Sequence, residues 1–329
     1  MPVVTKKITN IIKYSLSALL MVVLLFFAFR SVDWKNFADG VRSTDFVFVL
    51  LSMLCGLTAF FLRSLRWRML LRPLDPEIGF MRSFDGVNIG NLANCCLPFA
   101  GEFVRCGVVC TPKASYDKTL GTIALERLWD FISIIVIVVL ALCVKGGVVS
   151  DFLSQNLWGP MAQNFGRLWW IAALALLVAA DLVLAVVKLR DRSRILGKIY
   201  SVVAGLAQGF VSFSKMGRKW LFLLLTVLIW LCYWLMCVSI SHGFPAAGCL
   251  TVSDTLFVMA VGNLASVIPV PGGFGAYHYI IALALSSIYG LSWDNGIVFA
   301  TLSHESQAIV MITFGLICYV HRTLTMRKK

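Results

Sequence analysis

Apolar runs of about 20 residues recur along the whole chain, a length that crosses a hydrocarbon core of roughly 30 Å as a helix. Of the 329 residues, 59% are hydrophobic and only 14% are charged. So few charges cannot cover the surface of a soluble protein of this size. The sequence therefore predicts an all-α polytopic membrane protein, and no stretch is polar and long enough for a soluble catalytic domain.

The chain contains two kinds of apolar region. Two regions, about 80–112 and 255–290, contain proline and glycine, which end a helix and permit a turn. Each is predicted to be a re-entrant element, a pair of broken helices that enters and leaves on one side. Uninterrupted runs predict six transmembrane helices, at roughly 11–29, 46–63, 119–143, 168–187, 220–240 and 297–320.

Basic residues predict the orientation. Lys and Arg are frequent at the N-terminus and in segments 63–82 and 188–219, whereas 144–167 and 241–254 contain few or none. Because cytoplasmic loops carry the excess of Lys and Arg, we expect a multi-pass protein of the plasma (inner) membrane with both termini cytoplasmic. The same loops account for the net charge of +13, so no nucleic-acid partner is predicted.

A short internal repeat marks both interrupted regions. The sequence GNLAN at 90–94 and the sequence GNLAS at 262–266 are each followed by proline and then glycine. Each half then carries an acidic helix, TIALE at 122–126 and TLSHE at 301–305. The matching order of these landmarks favours a duplicated structural unit.

The repeat predicts one membrane domain over residues 1–329, with pseudo-repeats 1–145 and 165–325. Each half holds three crossings, an odd number, so the second half is inverted relative to the first. Inverted repeats with paired broken helices are typical of transport sites near the midplane. In the second element the chain resumes its helix near Phe274, and the free N–H groups there would bind an anion.

Ionisable side chains lie within the apolar regions, where each costs about 2.5–3.5 kcal/mol at the membrane centre. One interpretation is a polar cavity in which Arg105 and Arg127 hold an anionic headgroup while acids and histidines balance charge or move protons. The other is that Glu102–Arg105 and Arg127–Asp130 are buried pairs that hold helices together. The candidate substrate-binding residues are Glu102, Arg105, Glu126, Arg127, Asp130, Gly272, Gly273, His278, His304 and Glu305.

Other polar residues are assigned structural roles. Arg63, Arg66, Trp67 and Arg68 are predicted to form an interfacial anchor at the end of the second span. Asparagines at 91, 94 and 263 are predicted to cap or cross-link the broken helices. No catalytic residue, metal site or cofactor is predicted, because the chain has no phosphate loop, nucleophile elbow or metal triad motif.

Four segments of the chain are distinctive: LRWRMLL (65–71), NCCLPFAGEFVR (94–105), ALERLWD (124–130) and IPVPGGFGAYH (268–278). Through these segments the chain resembles the membrane region of lysylphosphatidylglycerol synthases, a flippase-like family of integral membrane proteins. The resemblance implies a lipid-translocating fold with two re-entrant elements. Position 278, often Glu in the family, is His278 here, which puts a carboxylate role at this position in doubt.

Two functions are therefore predicted as alternatives. The first is a flippase or scramblase that moves an anionic phospholipid or a polyprenyl-phosphate-linked lipid between leaflets. The second is a scaffold or accessory subunit for a lipid-modifying enzyme, which does not itself transport. The partners expected are a membrane lipid, a second copy of the chain or a membrane enzyme. Aminoacyl transfer is not expected, because the separate soluble domain of the synthases is not in this sequence.

Overall fold

The computed structural model describes residues 2–153, 216–265 and 268–327, and every regular element in them is helical. The predicted span 168–187 lies outside the described residues. Short 3₁₀ turns occupy Pro245–Ala247 and Pro271–Gly273. The helices are α1 (Pro2–Phe29), α2 (Trp34–Arg42), α3 (Phe46–Leu71), α4 (Phe80–Cys96), α5 (Ala100–Val109), α6 (Tyr116–Leu153), α7 (Lys219–Gly243), α8 (Val252–Ala265), α9 (Ala276–Tyr289) and α10 (Trp293–Arg327).

Several of these helices can span a membrane. Within the described residues, α3, α7 and the Trp293–Thr325 part of α10 are long and apolar enough to do so. A fourth span results if α1 and α2, which bend by 86° at their junction, count as one. The predicted spans 46–63, 220–240 and 297–320 coincide with the first three, which confirms an all-α membrane protein.

Two buried cores hold the helices together. One lies between α3, α5 and α6, around Trp67, Leu70 and Cys106. The other lies between α7, α8, α9 and α10, around Val258 and Phe299. Because α3 packs along α7, and α10 contacts both α4 and α9, the two halves of the chain share their long helices.

The first interrupted region is a helical hairpin. Helix α4 ends at Cys96, and Phe99 takes a left-handed conformation with φ 60° before α5 begins. Asn94 Oδ1 accepts a hydrogen bond from the Gly101 N–H at 2.7 Å, so this predicted cross-link is confirmed. The two helices touch so closely that a Cβ on Gly101 would lie 2.2 Å from the Gly90 carbonyl oxygen.

The second interrupted region breaks at glycine. Gly272, Gly273 and Gly275 all have positive φ, at 60°, 82° and 81°, which glycine adopts most readily. Helix α9 begins at Ala276, two residues later than the predicted start near Phe274, because Gly275 is still outside the helical region. The hydroxyl of Ser17 on α1 donates to the Pro269 carbonyl at 2.7 Å and ties this turn to the first helix.

We predict that Gly101→Ala destabilises the protein by about 1–3 kcal/mol, because the added methyl overpacks the contact between α4 and α5. The matched control is Gly107→Ala in the same helix, where a Cβ meets nothing within 4 Å. Because alanine favours a helix, that variant is expected to keep or gain stability, by up to about 1 kcal/mol. Unfolding free energies in detergent compare the two, and equal values would contradict the close packing.

Candidate functional site

Seven charged side chains from three helices meet in the first half of the chain. Four guanidinium groups face three carboxylates, which leaves one formal positive charge. We call this set the arginine cluster, and its members come from α3, α5 and α6. They are Arg63, Arg66, Glu102, Arg105, Glu126, Arg127 and Asp130.

Glu126 is the centre of the arginine cluster and is fully buried. Its Oε1 accepts from Arg63 at 3.2 Å and from Arg66 at 3.3 Å. Its Oε2 accepts from Arg105 at 2.7 Å. A buried carboxylate away from water is stable only when paired and hydrogen-bonded, and here three cations surround it.

The arginine cluster also reaches α7. Arg66 donates to Asp130 Oδ1 at 2.7 Å and to the hydroxyl of Thr226 at 3.4 Å. Arg63 donates to the Tyr233 hydroxyl at 3.4 Å. The cluster therefore connects four helices, and Thr226 and Tyr233 are hydrogen-bond partners that the sequence did not indicate.

The predicted interfacial anchor is wrong for Arg66 and Trp67, both of which are completely buried. Trp67 Nε1 donates to the Thr122 hydroxyl at 3.0 Å, and the guanidinium of Arg105 lies 4.0 Å from the Trp67 ring centroid. Helix α3 continues to Leu71 without a break, so these side chains turn inward instead of ending at a surface. Their spacing of three and four residues, which places them on one helix face, was the signal available in the sequence.

Arg127 forms the exposed edge of the cluster, with a side chain 45% exposed. It pairs with Glu102 on α5 and lies 3.7 Å from Asp130. The predicted Arg127–Asp130 contact is therefore present, but it lies within α6 at an exposed edge and is not the buried pair between helices that was expected. The predicted Glu102–Arg105 pair is wrong, since Arg105 binds Glu126 instead. Helices α5 and α6 face each other, so each charge on α5 takes a partner across the interface.

The cluster has more donors than acceptors. Within the described structure, three buried Nε–H donors have no hydrogen-bond partner, those of Arg63, Arg66 and Arg105, against one buried acceptor, Glu102 Oε2. A buried donor without a partner costs about 1–3 kcal/mol. The unpaired donors and the extra positive charge make this cluster chemically suited to an anion.

A second polar set lies where α9, α10 and the second break meet. We call His278, His304 and Glu305 the His–Glu site. Glu305 Oε1 lies 3.4 Å from His278 Nε2 and 3.2 Å from His304 Nδ1. His304 Nε2 donates to the carbonyl of Gly272 at 2.9 Å, and a Cβ on Gly273 would lie 3.3 Å from the same nitrogen.

The structure thus divides the ten predicted binding residues into two sets. Glu102, Arg105, Glu126, Arg127 and Asp130 belong to the arginine cluster. His278, His304 and Glu305 form the His–Glu site, and Gly272 and Gly273 lie against His304 beside it. In the part of the chain that the structure describes, no ion pair joins the two sets. The ion pairs therefore divide into two sets, and the single polar cavity considered in the sequence analysis stays a prediction.

The other two asparagines that were predicted to cap or cross-link the broken helices, Asn91 and Asn263, differ from Asn94 in their contacts. Asn263 donates from Nδ2 to the Met259 carbonyl of its own helix at 2.8 Å, so this contact is within α8. The Nδ2 of Asn91 is buried and has no partner in the described structure.

Long apolar helices around buried ion pairs define an integral membrane protein with a polar interior. The family described as the lysylphosphatidylglycerol synthase TM region matches residues 10–315. The chain therefore belongs to this family, and the predicted resemblance is confirmed.

Two curated relatives extend the comparison. Glycosyltransferase AglD of Haloferax volcanii is 23% identical over 354 residues, which cover 96% of this chain and 54% of that protein. The UPF0104 membrane protein PH1989 of Pyrococcus horikoshii is 31% identical over 104 residues, 30% of each chain. The chain thus spans about half the length of the first relative. No solved structure matches the chain.

We predict that Arg66→Met destabilises the protein by about 3–5 kcal/mol, because it leaves the buried Glu126 and Asp130 short of a cation. The matched control is Arg42→Met, which removes an exposed pair with Asp39 at 3.8 Å. An exposed pair is worth at most about 1 kcal/mol. Thermal unfolding in detergent measures both, and a similar small loss for Arg66→Met would show that the cluster does not stabilise the fold.

Proposed function

We propose that this protein is an integral membrane lipid transporter of the flippase or scramblase type. Its substrate would be an anionic phospholipid or a polyprenyl-phosphate-linked lipid. The observation that carries this proposal is the arginine cluster, where buried guanidinium N–H groups lack partners and one positive charge is unbalanced. Guanidinium groups bind phosphate oxygens with paired hydrogen bonds, so a lipid phosphate is the fitting ligand.

The exposed edge of the cluster offers a route by which a lipid headgroup could enter it. Arg127 is the most accessible of the four arginines in the cluster. Arg105 lies deeper, stacked on Trp67. A phosphate at Arg127 would compete with Glu102 for the guanidinium and so weaken the contact between α5 and α6. Phe103 and Phe131, on the same two helices, are 57% and 58% exposed, and a lipid's acyl chains would lie against them.

The arrangement of the helices in the membrane is part of the same proposal. The protein would have six spans and two re-entrant elements in an inverted repeat, in the inner membrane, with both termini cytoplasmic. Equivalent contacts in the two hairpins support this. Gly90 lies against Arg105, and Gly262 lies against Tyr277. In each pair the two residues are fifteen positions apart in the sequence.

We predict that Arg127→Gln lowers the initial rate of leaflet exchange of an anionic fluorescent lipid by about 10–100-fold. This range corresponds to the loss of hydrogen bonds to a charged group, worth about 1.5–3 kcal/mol. The measurement uses purified protein in liposomes that contain anionic, zwitterionic or polyprenyl-phosphate lipids. Arg105→Ala is expected to abolish exchange.

The matched control is Arg30→Gln, an exposed arginine that lies over the Phe27 ring and outside the cluster. It is expected to exchange lipid at the wild-type rate. Normal exchange by the Arg127 and Arg105 variants would refute a headgroup site in the cluster. Equal losses in all three variants would point to general damage and not to a binding site.

The second candidate function is a non-transporting scaffold or accessory subunit of a lipid-modifying enzyme. The similarity to a protein named a glycosyltransferase over 96% of this chain favours it, because that relative is much longer than the matched region. In this case well-folded protein would exchange no lipid of any class. A detergent pull-down would then recover a stable enzyme partner.

A further inference from the structure

We propose that His278, His304 and Glu305 bind a divalent transition-metal ion, with Zn²⁺ as the representative ion. Two imidazole nitrogens and a carboxylate are a common ligand set for this class of metal. These are the ligand atoms that the structure brings together, all within 4.8 Å of one another. The inference does not depend on lipid transport, and it is tested by metal binding alone.

The spacing of the three groups fits a tetrahedral ion. Zinc binds nitrogen and carboxylate oxygen at about 2.0–2.2 Å, so two ligands of one tetrahedral ion lie about 3.3 Å apart. Glu305 Oε1 is 3.4 Å from His278 Nε2 and 3.2 Å from His304 Nδ1. Two of the three separations therefore match the ion's requirement, and the third, between the His278 and His304 nitrogens, is within 4.8 Å.

His304 supplies a second observation through its contact with the Gly272 carbonyl. Its Nε2 lies 2.9 Å from the Gly272 carbonyl oxygen, which can only accept a hydrogen bond, so Nε2 carries a proton. In a neutral ring Nδ1 then presents a lone pair to the Glu305 carboxylate at 3.2 Å. Two acceptors repel unless a cation lies between them, and a metal ion satisfies both.

The Gly272 contact is also the outer-shell hydrogen bond that metal-bound histidines typically make. A ligating imidazole usually donates its other N–H to a carbonyl or carboxylate, which sets the ring orientation. The carbonyl here comes from the 3₁₀ turn at the second break, between α8 and α9. A bound ion would therefore hold α9 and α10 together and restrain that turn.

The surroundings favour a zinc-like ion over magnesium or calcium. His278 is only 2% exposed, and the rings of Phe274 and Tyr277 lie 5.0 and 5.1 Å from the His304 ring. Magnesium and calcium prefer all-oxygen ligand sets. The Glu305 side chain is 36% exposed, so water or an anion can reach the fourth coordination position.

The test is a Co²⁺ titration of the full-length protein, purified without a polyhistidine tag and with its thiols blocked. Four-coordinate Co²⁺ reports its geometry through visible absorption, and Zn²⁺ is then added in competition. We expect one ion per chain in the wild type. Loss of an outer-shell partner typically weakens metal binding by about 10–100-fold. Glu305→Gln and His304→Gln each remove a direct ligand, so each is expected to weaken Co²⁺ binding by more than that.

The matched control is His321→Gln, because His321 lies on the same helix and contacts Asp85 instead, at 3.2 Å. It is expected to bind Co²⁺ like the wild type. Helix content by circular dichroism confirms that each variant is folded. As a second measurement, Zn²⁺ should raise the thermal midpoint of the wild type and of His321→Gln but not of Glu305→Gln.

Two outcomes would overturn the proposal. Binding of equal strength in the wild type and in Glu305→Gln would place the ion elsewhere. Absence of Co²⁺ and Zn²⁺ binding by folded wild-type protein would mean that His304 and Glu305 share a proton and not a metal ion.

Discussion

The buried carboxylate of Glu126 is the interaction on which the first half of the structure depends. It is surrounded by Arg63, Arg66 and Arg105, which come from two other helices. A lone charge in an apolar interior costs several kcal/mol, so each of these groups requires the others in place. The pairing fixes how α3, α5 and α6 lie against each other, and the contacts with α7 extend it to a fourth helix.

The breaks in the two interrupted regions leave backbone groups that need hydrogen-bond partners. Peptide groups without helical partners need another acceptor or donor in an apolar environment. In the first hairpin the side chain of Asn94 accepts from the backbone at Gly101, and in the second His304 donates to the carbonyl of Gly272. In both hairpins a glycine lets the two helices approach closely, Gly90 in one and Gly262 in the other.

The two polar sets differ in chemistry. The arginine cluster has spare donors and positive charge, which suits a lipid phosphate. The His–Glu site presents lone pairs and a carboxylate, which suits a cation. A transporter with an anion site in one half and a metal ion in the other would hold positive charge at both, which would favour passage of an anionic headgroup.

The sequence by itself determined the all-α membrane class and the places where the helices break, because apolar length, proline and glycine act locally. It also indicated eight of the ten side chains in the two polar sets, but it assigned Arg63 and Arg66 to an interfacial anchor. Only the tertiary structure decided the partners. Glu102 pairs with Arg127 and not with Arg105, and Arg66 and Trp67 are buried instead of anchoring at the interface. Neighbours three residues apart share a helix face, but which helix lies opposite depends on how the helices pack together. Charge pairing between helices therefore could not be read from spacing along one helix.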